Sequence, residues 1–318
     1  MLSRTAENLV WVARYIERAE TMARLLEVGA RITMIPTARG DGYRSEWESL
    51  LQASGTAAGF AEKYGDPVER NIESYLFFDR DNPSSVVSCF EHARENARIV
   101  RTAISSQVWD ALNVAYQELR QLERRSRSEV EMTELTEWVT RHVTMVRGAI
   151  DTTLLRNDGY HFLNLGFALE RADNTARLID VKYYVLLPSL DMVGSELDTY
   201  QWQTLLRALQ SYRAFHFAYG GEIGARKIAH FLILNGQSPR SLLTTAEKAT
   251  YHLDCLGRDY NKSGLPQMRA RALMNELERS SVEEIFNEGL HEFLTRFIRE
   301  VGGLSKAVYD TYLSGVAR

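Results

Sequence analysis

Hydrophobic residues recur along most of the chain with the spacing of a helix, about one in every three or four positions. The first such segment begins at Ser3 and should run to about Ile35, where Pro36 would end it. Its apolar arc contains Val12, Ile16, Ala19, Leu26 and Ala30. No segment alternates apolar and polar residues for more than a few positions, as a half-exposed strand would. The pattern therefore predicts an all-α fold.

A polar stripe lies beside this apolar arc. Its charged members are Glu17, Glu20, Arg24 and Glu27, and two small residues fall between them, Ala13 and Ala23. Small side chains let the backbone of another helix come close, whereas a stripe that faces water has no need of them. We therefore expect the stripe to be at least partly buried against a second helix. The alternative is a solvated ladder of ion pairs between neighbouring turns.

The same sequence returns 153 positions later. Between residues 13–28 and 166–181, seven of sixteen positions are identical and five more are conservative exchanges. The second stripe contains Glu170, Asp173, Arg177 and Asp180, with Gly166 and Ala176 in its middle. A repeat over half the chain indicates a duplicated domain rather than an array of short repeats.

The duplication sets the domain organisation that we expect. Residues 1–157 would form the first helical repeat and residues 158–318 the second, packed as one body around a pseudo-two-fold axis. Each half should hold about six helices. The second helix is predicted at Ser45–Lys63, and its counterpart in the other half at Tyr200–Tyr219.

The small residues also suggest how the two stripes meet. If they face each other, their helices should cross near the small residues Ala13, Ala23, Gly166 and Ala176. In an antiparallel crossing, Glu17 would approach Arg177, and Glu170 would approach Arg24. A two-fold axis naturally generates such a reciprocal arrangement.

Composition narrows the class of protein. The chain has 318 residues, of which 45% are hydrophobic and 25% charged, as in globular proteins. A net charge of −4 does not favour binding to nucleic acid. The apolar runs are too short to span a membrane, and the N-terminus does not resemble a signal peptide. Cys89 and Cys255 show neither a CxxC motif nor zinc-ligand spacing, so we expect reduced thiols and a cytosolic protein.

Catalytic and metal-binding signatures are weak. Glu20 and Asp173 resemble part of a di-metal carboxylate site, but that site also needs histidines three residues after two of its glutamates. Arg24 and Arg177 lie one helical turn away and would oppose a cation, so we expect no bound metal. We find no nucleophile elbow and no nucleotide-binding loop. We interpret Cys89 as a buried, inert cysteine.

An arginine comb follows on a later helix, formed by Arg94, Arg98 and Arg101. Such a comb suits bidentate binding of a carboxylate or phosphate. The alternatives are a solvated helix face, or arginines that pair with Glu17 and Glu20. The candidate binding cluster from sequence is Glu17, Arg18, Glu20, Arg24, Arg94, Glu95, Asn96, Arg98, Arg101, Glu170, Arg171, Asp173 and Arg177.

Several of these segments together resemble the bacterial alpha-E family. They are residues 2–9, 13–20, 93–98, 104–109, 112–113 and 239–241, and the resemblance covers essentially the whole chain. That family is named for an all-helical domain with a Glu-Arg motif. Val10 and Ala13 depart from its usual residues, an aromatic and a glycine, without weakening the assignment.

The resemblance implies a function by association. Members of the family are typically encoded beside an ATP-grasp protein and a transglutaminase-like cysteine peptidase. We therefore expect a helical partner of an ATP-grasp amide or peptide ligase, which offers a charged surface to an amino-acid or peptide substrate. Any ATP and Mg²⁺ would come through the ligase, since this chain shows no cofactor site of its own. The alternative is an independent catalytic or metal-binding helical bundle.

Overall fold

The computed structural model describes residues 1–33, 41–126, 129–186, 196–221 and 223–315. Within these ranges, all regular secondary structure is helical, which confirms the all-α prediction. The predicted end of the first helix, near Ile35 and Pro36, lies outside the described residues.

Fifteen α-helices occur in the described ranges. They are α1 Ser3–Thr33, α2 Asp41–Ser54, α3 Ala57–Lys63, α4 Glu69–Glu73, α5 Val86–Ile99, α6 Ser106–Leu122, α7 Met132–Thr153, α8 Asp158–Leu186, α9 Glu196–Ala208, α10 Tyr212–Tyr219, α11 Ala225–Ile233, α12 Leu242–Asp259, α13 Leu265–Arg279, α14 Val282–Glu288 and α15 Leu290–Val308. A π-helical turn follows α4 at Ser74–Phe78, and another follows α15 at Tyr309–Leu313.

Seven of these helices begin before residue 158 and eight begin from there on, against the predicted number of about six in each half. One reason is that two predicted helices are each divided. The segment predicted at Ser45–Lys63 breaks after α2, where Gly55 adopts a φ of 70°. The segment predicted at Tyr200–Tyr219 breaks after α9, where Gln210 adopts a φ of 53°. Positive φ is incompatible with a right-handed helix, so each chain turns and starts a new one.

Serine side chains cap the N-termini of α5 and α12, two of the helices that pack on the central helix pair, α1 and α8. At α5, Ser85 Oγ accepts a hydrogen bond from the backbone N–H of Ser88 at 3.1 Å. At α12, Ser241 Oγ accepts one from Thr244 at 3.0 Å. Each cap satisfies a backbone donor that the first turn of a helix leaves free. These caps fix the entry of both helices next to the centre of the molecule.

The central pair of helices is α1 and α8, and they run parallel. Gly159 faces Leu9, Gly166 faces Val10 and Ala13, and further along Arg171 meets Glu17, so residue numbers rise together on both helices. Of the four small residues predicted at the crossing, Ala13 and Gly166 lie at a close approach of the two helices. The prediction of an antiparallel crossing is wrong.

The remaining helices surround this pair. Helices α5 and α7 pack on α1, while α12 and α15 pack on α8. Helix α2 also packs on α8, and α9 packs on α1, so contacts cross between residues 1–157 and 158–318. One hydrophobic cluster includes side chains from Ala6 to Leu313. The charged centre is therefore enclosed by the core of the whole described structure.

Candidate functional site

Two reciprocal ion pairs join α1 and α8. Arg171 Nε and Nη2 donate to the two carboxylate oxygens of Glu17 at 2.9 and 3.0 Å. Arg18 Nε donates to Glu170 Oε1 at 2.6 Å. Glu17 is 1% exposed and Glu170 is 3% exposed. Because the helices are parallel and cross at Ala13 and Gly166, each glutamate lies beside the arginine that follows the other glutamate.

The sequence prediction of burial is therefore confirmed, but the predicted partners are wrong. Glu17 does not meet Arg177, and Glu170 does not meet Arg24, since those pairs require antiparallel helices. Arg24 instead pairs with Glu20 one turn back at 2.5 Å, and Arg177 pairs with Asp173 at 2.7 Å. These last two contacts are the ones expected from spacing alone.

Two further arginines reach the centre from other helices. Arg240, just before α12, lies 2.5 Å from Glu20 and 3.5 Å from Glu17. Arg147, on α7, contacts Glu17 directly. We name this group the Glu17 cluster; it consists of Glu17, Glu20, Arg24, Arg147, Arg171 and Arg240. It sets four guanidinium groups against two carboxylates.

Sequence reasoning assigned neither Arg147 nor Arg240 to the site. Arg240 belongs to the segment 239–241 that carries part of the family resemblance, and this was the signal that might have identified it. Arg147 is an ordinary arginine in a helix with no repeated or capping pattern around it. Only the packing of α7 on α1 brings it to Glu17.

Burial and the arginines oppose each other in setting the protonation of the centre. Burial by itself would raise the pKa of the Glu20 carboxyl, but Arg24, Arg240 and Arg171 outweigh it and hold that pKa at about 2. Burial would likewise raise the pKa of Glu170, yet Arg18 and Arg14 lower it. Burial lowers the pKa of Arg240 to about 9 despite the attraction of Glu20. The carboxylates of Glu20 and Glu170 are thus ionised at neutral pH.

Acid should destabilise the chain through Glu20. Its pKa falls from 4.5 to about 2 on folding, so the stability it contributes is complete above pH 4.5 and is lost as the pH falls towards 2. His252, whose pKa burial lowers to about 4, adds a loss that begins at higher pH. Comparison with Glu20→Gln isolates the carboxylate. Urea unfolding below pH 4.5 should show a steeper loss for the unsubstituted chain, and equal slopes would contradict the assignment.

The arginine comb is not part of this centre. Arg94 Nε donates to Asn113 Oδ1 at 3.0 Å, and its guanidinium lies over the rings of Trp109 and Tyr116. Arg98 is exposed and pairs with Glu95 at 2.6 Å. The interpretation that these arginines pair with Glu17 and Glu20 is therefore wrong.

The rest of the comb follows the same surface. Arg101 also lies over Trp109, at 5.6 Å from the ring centroid, and Asn96 is half-buried on α5. Helices α5 and α6 thus present arginine and aromatic side chains together. We name this surface the Trp109 surface; it consists of Arg94, Arg98, Arg101, Trp109 and Tyr116.

Two cavities adjoin the paired carboxylates. One, of about 110 Å³, lies beside the Glu17 cluster; we name it the Lys248 cavity, and its polar lining is Arg147, Asp151, Asn164, Arg171, Thr245, Lys248 and His252. The other, of about 230 Å³, is lined by Arg18, Glu170, Asp173, Asn174 and Arg177 among others. The first cavity reaches Arg147 and Arg171 of the Glu17 cluster, and the second reaches Glu170, Asp173 and Arg177 of the second stripe.

Metal ligands and reactive thiols are not assembled in the described part of the chain. No group of three histidine, cysteine, aspartate or glutamate side chains there has the arrangement of a metal site. Cys89 is buried, and burial raises the pKa of its thiol to about 12. His92 is exposed and lies against the ring of Tyr15. This agrees with the interpretation of Cys89 as inert.

The Glu-Arg sequence is a feature that this chain shares with a known family. The family described as a predicted alpha-helical domain with a conserved ER motif matches residues 1–313. The chain belongs to the alpha-E family. Glu17-Arg18 and Glu170-Arg171 are both Glu-Arg sequences, and the structure joins each to the other.

Alpha-E relatives occur in longer chains. An uncharacterised protein from Mycobacterium bovis and another from Mycobacterium tuberculosis are each 25% identical over 331 aligned positions. The match covers 96% of this chain but 36% of each relative, so the chain spans about a third of their length. No solved structure matches this chain significantly. Among the described helices, none is both long and apolar enough to cross a membrane.

Proposed function

We propose that this alpha-E chain is an accessory, non-catalytic partner of an ATP-grasp amide or peptide ligase. In this proposal the chain docks on the ligase through the Trp109 surface, and its charged centre holds an amino-acid or peptide substrate. The ligase supplies ATP and Mg²⁺. A transglutaminase-like protein is a possible second partner, and the complex works in the cytosol, where Cys89 and Cys255 stay reduced.

The scaffold in this proposal is an internal duplication of residues 1–157 and 158–318 around a pseudo-two-fold axis. The reciprocal pairs Glu17–Arg171 and Glu170–Arg18 support it, because a two-fold relation makes each contact occur twice. Ser85 and Ser241, which are 156 positions apart, also cap helices that pack on α1 and α8 respectively. Such a scaffold holds two charged stripes in one fixed geometry.

The Trp109 surface is the observation that carries the partner role. Arginine, tryptophan and tyrosine are the side chains most enriched where protein interfaces gain their energy. Here Arg94 and Arg101 stack on Trp109, and the exposed Ile99 lies on the same helix as Arg94. The length of the relatives gives further support, since almost two thirds of each is additional sequence joined to the same domain.

The proposal is tested by co-expressing the chain with the ATP-grasp protein encoded beside it. We expect the two to co-purify, and we expect ATP hydrolysis over a panel of amino acids to increase when the chain is present. Trp109→Ala should weaken the complex by about tenfold or more, as expected for a central interface residue. Arg98→Glu should also weaken it. The side chain is 60% exposed, so loss of its ion pair with Glu95 should cost the fold little stability.

Phe217→Ala provides the matched control. Phe217 is 95% exposed on α10, so its removal tests the loss of a surface aromatic residue elsewhere in the chain. Thermal melts of all variants identify any that are unfolded. Equal effects of Trp109→Ala and Phe217→Ala, or no complex with the ATP-grasp protein, would contradict the proposal.

A further inference from the structure

The Glu17 cluster holds more positive than negative charge in the interior. Arg24 is 3% exposed, and the side chains of Arg171 and Arg240 are 11% and 15% exposed. Four arginines share Glu17 and Glu20, so two positive charges have no carboxylate of their own. Buried charge is costly unless it is compensated. A negatively charged ligand beside these arginines would supply the missing compensation.

The Lys248 cavity connects this excess of positive charge to the solvent. Arg147 and Arg171, which both pair with Glu17, also line the cavity. Lys248 and Asp151 line it as well, and both are exposed, so they mark its mouth. Within the described residues, Lys248 has neither a hydrogen-bond nor an ion-pair partner. The mouth therefore carries an ammonium group that is available to a ligand.

One of the two arginines that line the cavity is held in a fixed orientation. The guanidinium of Arg147 lies over the ring of Phe167, 4.4 Å from its centroid, and Phe167 itself lines the cavity. Stacking fixes the plane of the guanidinium. Its Nη2 contacts Glu17, while its Nε has no hydrogen-bond partner within the described residues and can donate to a carboxylate oxygen. Burial also keeps His252, at the same cavity, in its neutral form, with a pKa of about 4.

We propose that the Lys248 cavity binds a small free α-amino acid by its two charged ends. Arg147, Arg171 and Lys248 bind the carboxylate, and Asp151 binds the α-ammonium group. Asp151 is the one carboxylate that lines the cavity within the described structure. It favours a ligand that carries both charges, and it disfavours a multiply charged anion such as phosphate.

The volume agrees with a ligand of this size. About 110 Å³ accommodates a carboxylate, an α-carbon and a small side chain. The identity of this ligand as a ligase substrate rests on the function proposed above. The binding site itself rests on the geometry alone, so it is tested without the partner.

Calorimetric titration of the full chain decides the question. The ligands are L-alanine, acetate, glycinamide and inorganic phosphate, at constant ionic strength and neutral pH. We expect one alanine to bind per chain, acetate to bind more weakly because it lacks the ammonium group, and glycinamide not to bind. Acetate binding as tightly as alanine would contradict the amino-acid assignment, and phosphate binding without alanine binding would overturn the proposal.

Variants of the two residues at the mouth of the cavity then test which side chain binds which charged group of alanine. Lys248→Gln should weaken alanine binding by about 10- to 100-fold, the loss of one charge-assisted hydrogen bond. Lys306→Gln removes a lysine that is 80% exposed on α15 and should leave the affinity unchanged. Asp151→Asn should weaken alanine binding but not acetate binding. Equal affinities for Lys248→Gln and Lys306→Gln would overturn the proposal.

The two proposals fail independently. If alanine binds but the ATP-grasp protein is not captured, the cavity assignment stands and the partner role falls. If the partner is captured but alanine does not bind, the chain acts through its surface and the cavity assignment falls.

Discussion

Glu17→Ala is expected to lower the free energy of unfolding by about 3–5 kcal/mol, because it leaves buried guanidinium groups without a counterion. Glu17 is 1% exposed and contacts arginines from three elements: Arg171, Arg147 and Arg240. Denaturant unfolding of the purified variant measures the loss.

Because arginines outnumber carboxylates in the Glu17 cluster, we expect unequal losses of stability when either partner of the Glu17–Arg171 pair is removed. Arg171→Ala should cost clearly less than Glu17→Ala, since Arg147 and Arg240 still compensate Glu17 when Arg171 is absent. The double variant should cost less than the sum of the two, because they share one interaction. Equal and small losses in both single variants would show that the centre is solvated rather than buried.

Arg177→Ala supplies the matched control for this cycle. Arg177 pairs with Asp173, and the two side chains are 34% and 28% exposed. A partly exposed pair of this kind contributes less than about 1 kcal/mol. Combined with Glu17→Ala, its effect should be additive, since the two residues do not pair. Strong coupling between Glu17 and Arg177 would instead indicate the antiparallel arrangement.

The sequence predicted the burial of the two stripes but not their direction. Small residues at Ala13 and Gly166 indicate that two helices approach closely, and this holds for parallel and antiparallel helices alike. In the parallel pair, these two positions, which are 153 apart, lie opposite each other. Glu17 consequently meets Arg171 rather than Arg177. The direction depends on how the connecting segments return, and no local pattern in α1 or α8 encodes that.

The two arginines of the Glu17 cluster that lie outside the repeated segments 13–28 and 166–181 were less predictable still. Arg240 follows a proline before the Ser241 cap, and Arg147 sits in the interior of α7. Neither position differs locally from a solvated surface arginine. Their role arises from the packing of α7 on α1 and of α12 on α8, which brings side chains more than a hundred residues apart to one carboxylate. The comb at Arg94 shows the converse: its spacing suggested a shared site, yet its members bind Asn113, Trp109 and Glu95.

Gly166 is the residue on which the closeness of α1 and α8 depends. A β-carbon there would lie 2.6 Å from the carbonyl oxygen of Val10 and 3.0 Å from Cβ of Ala13. The first contact is with backbone, which cannot move aside as a flexible side chain would. The helices would have to separate, and the Glu17–Arg171 and Glu170–Arg18 pairs, which lie within two turns, would lengthen.

Gly166→Ala is therefore expected to destabilise the chain by about 1–3 kcal/mol, the usual cost of overpacking. Gly148→Ala is the matched control, because Gly148 also lies inside a helix, is exposed, and has nothing within 4 Å of the added carbon. That change should stabilise the chain by roughly 0.5–1 kcal/mol, as alanine normally does in place of a helical glycine. Thermal and urea unfolding should show that the two substitutions change the free energy of unfolding in opposite directions. If Gly166→Ala also stabilised the chain, α1 and α8 would not be in close contact, and the reciprocal ion pairs between them would lose their structural basis.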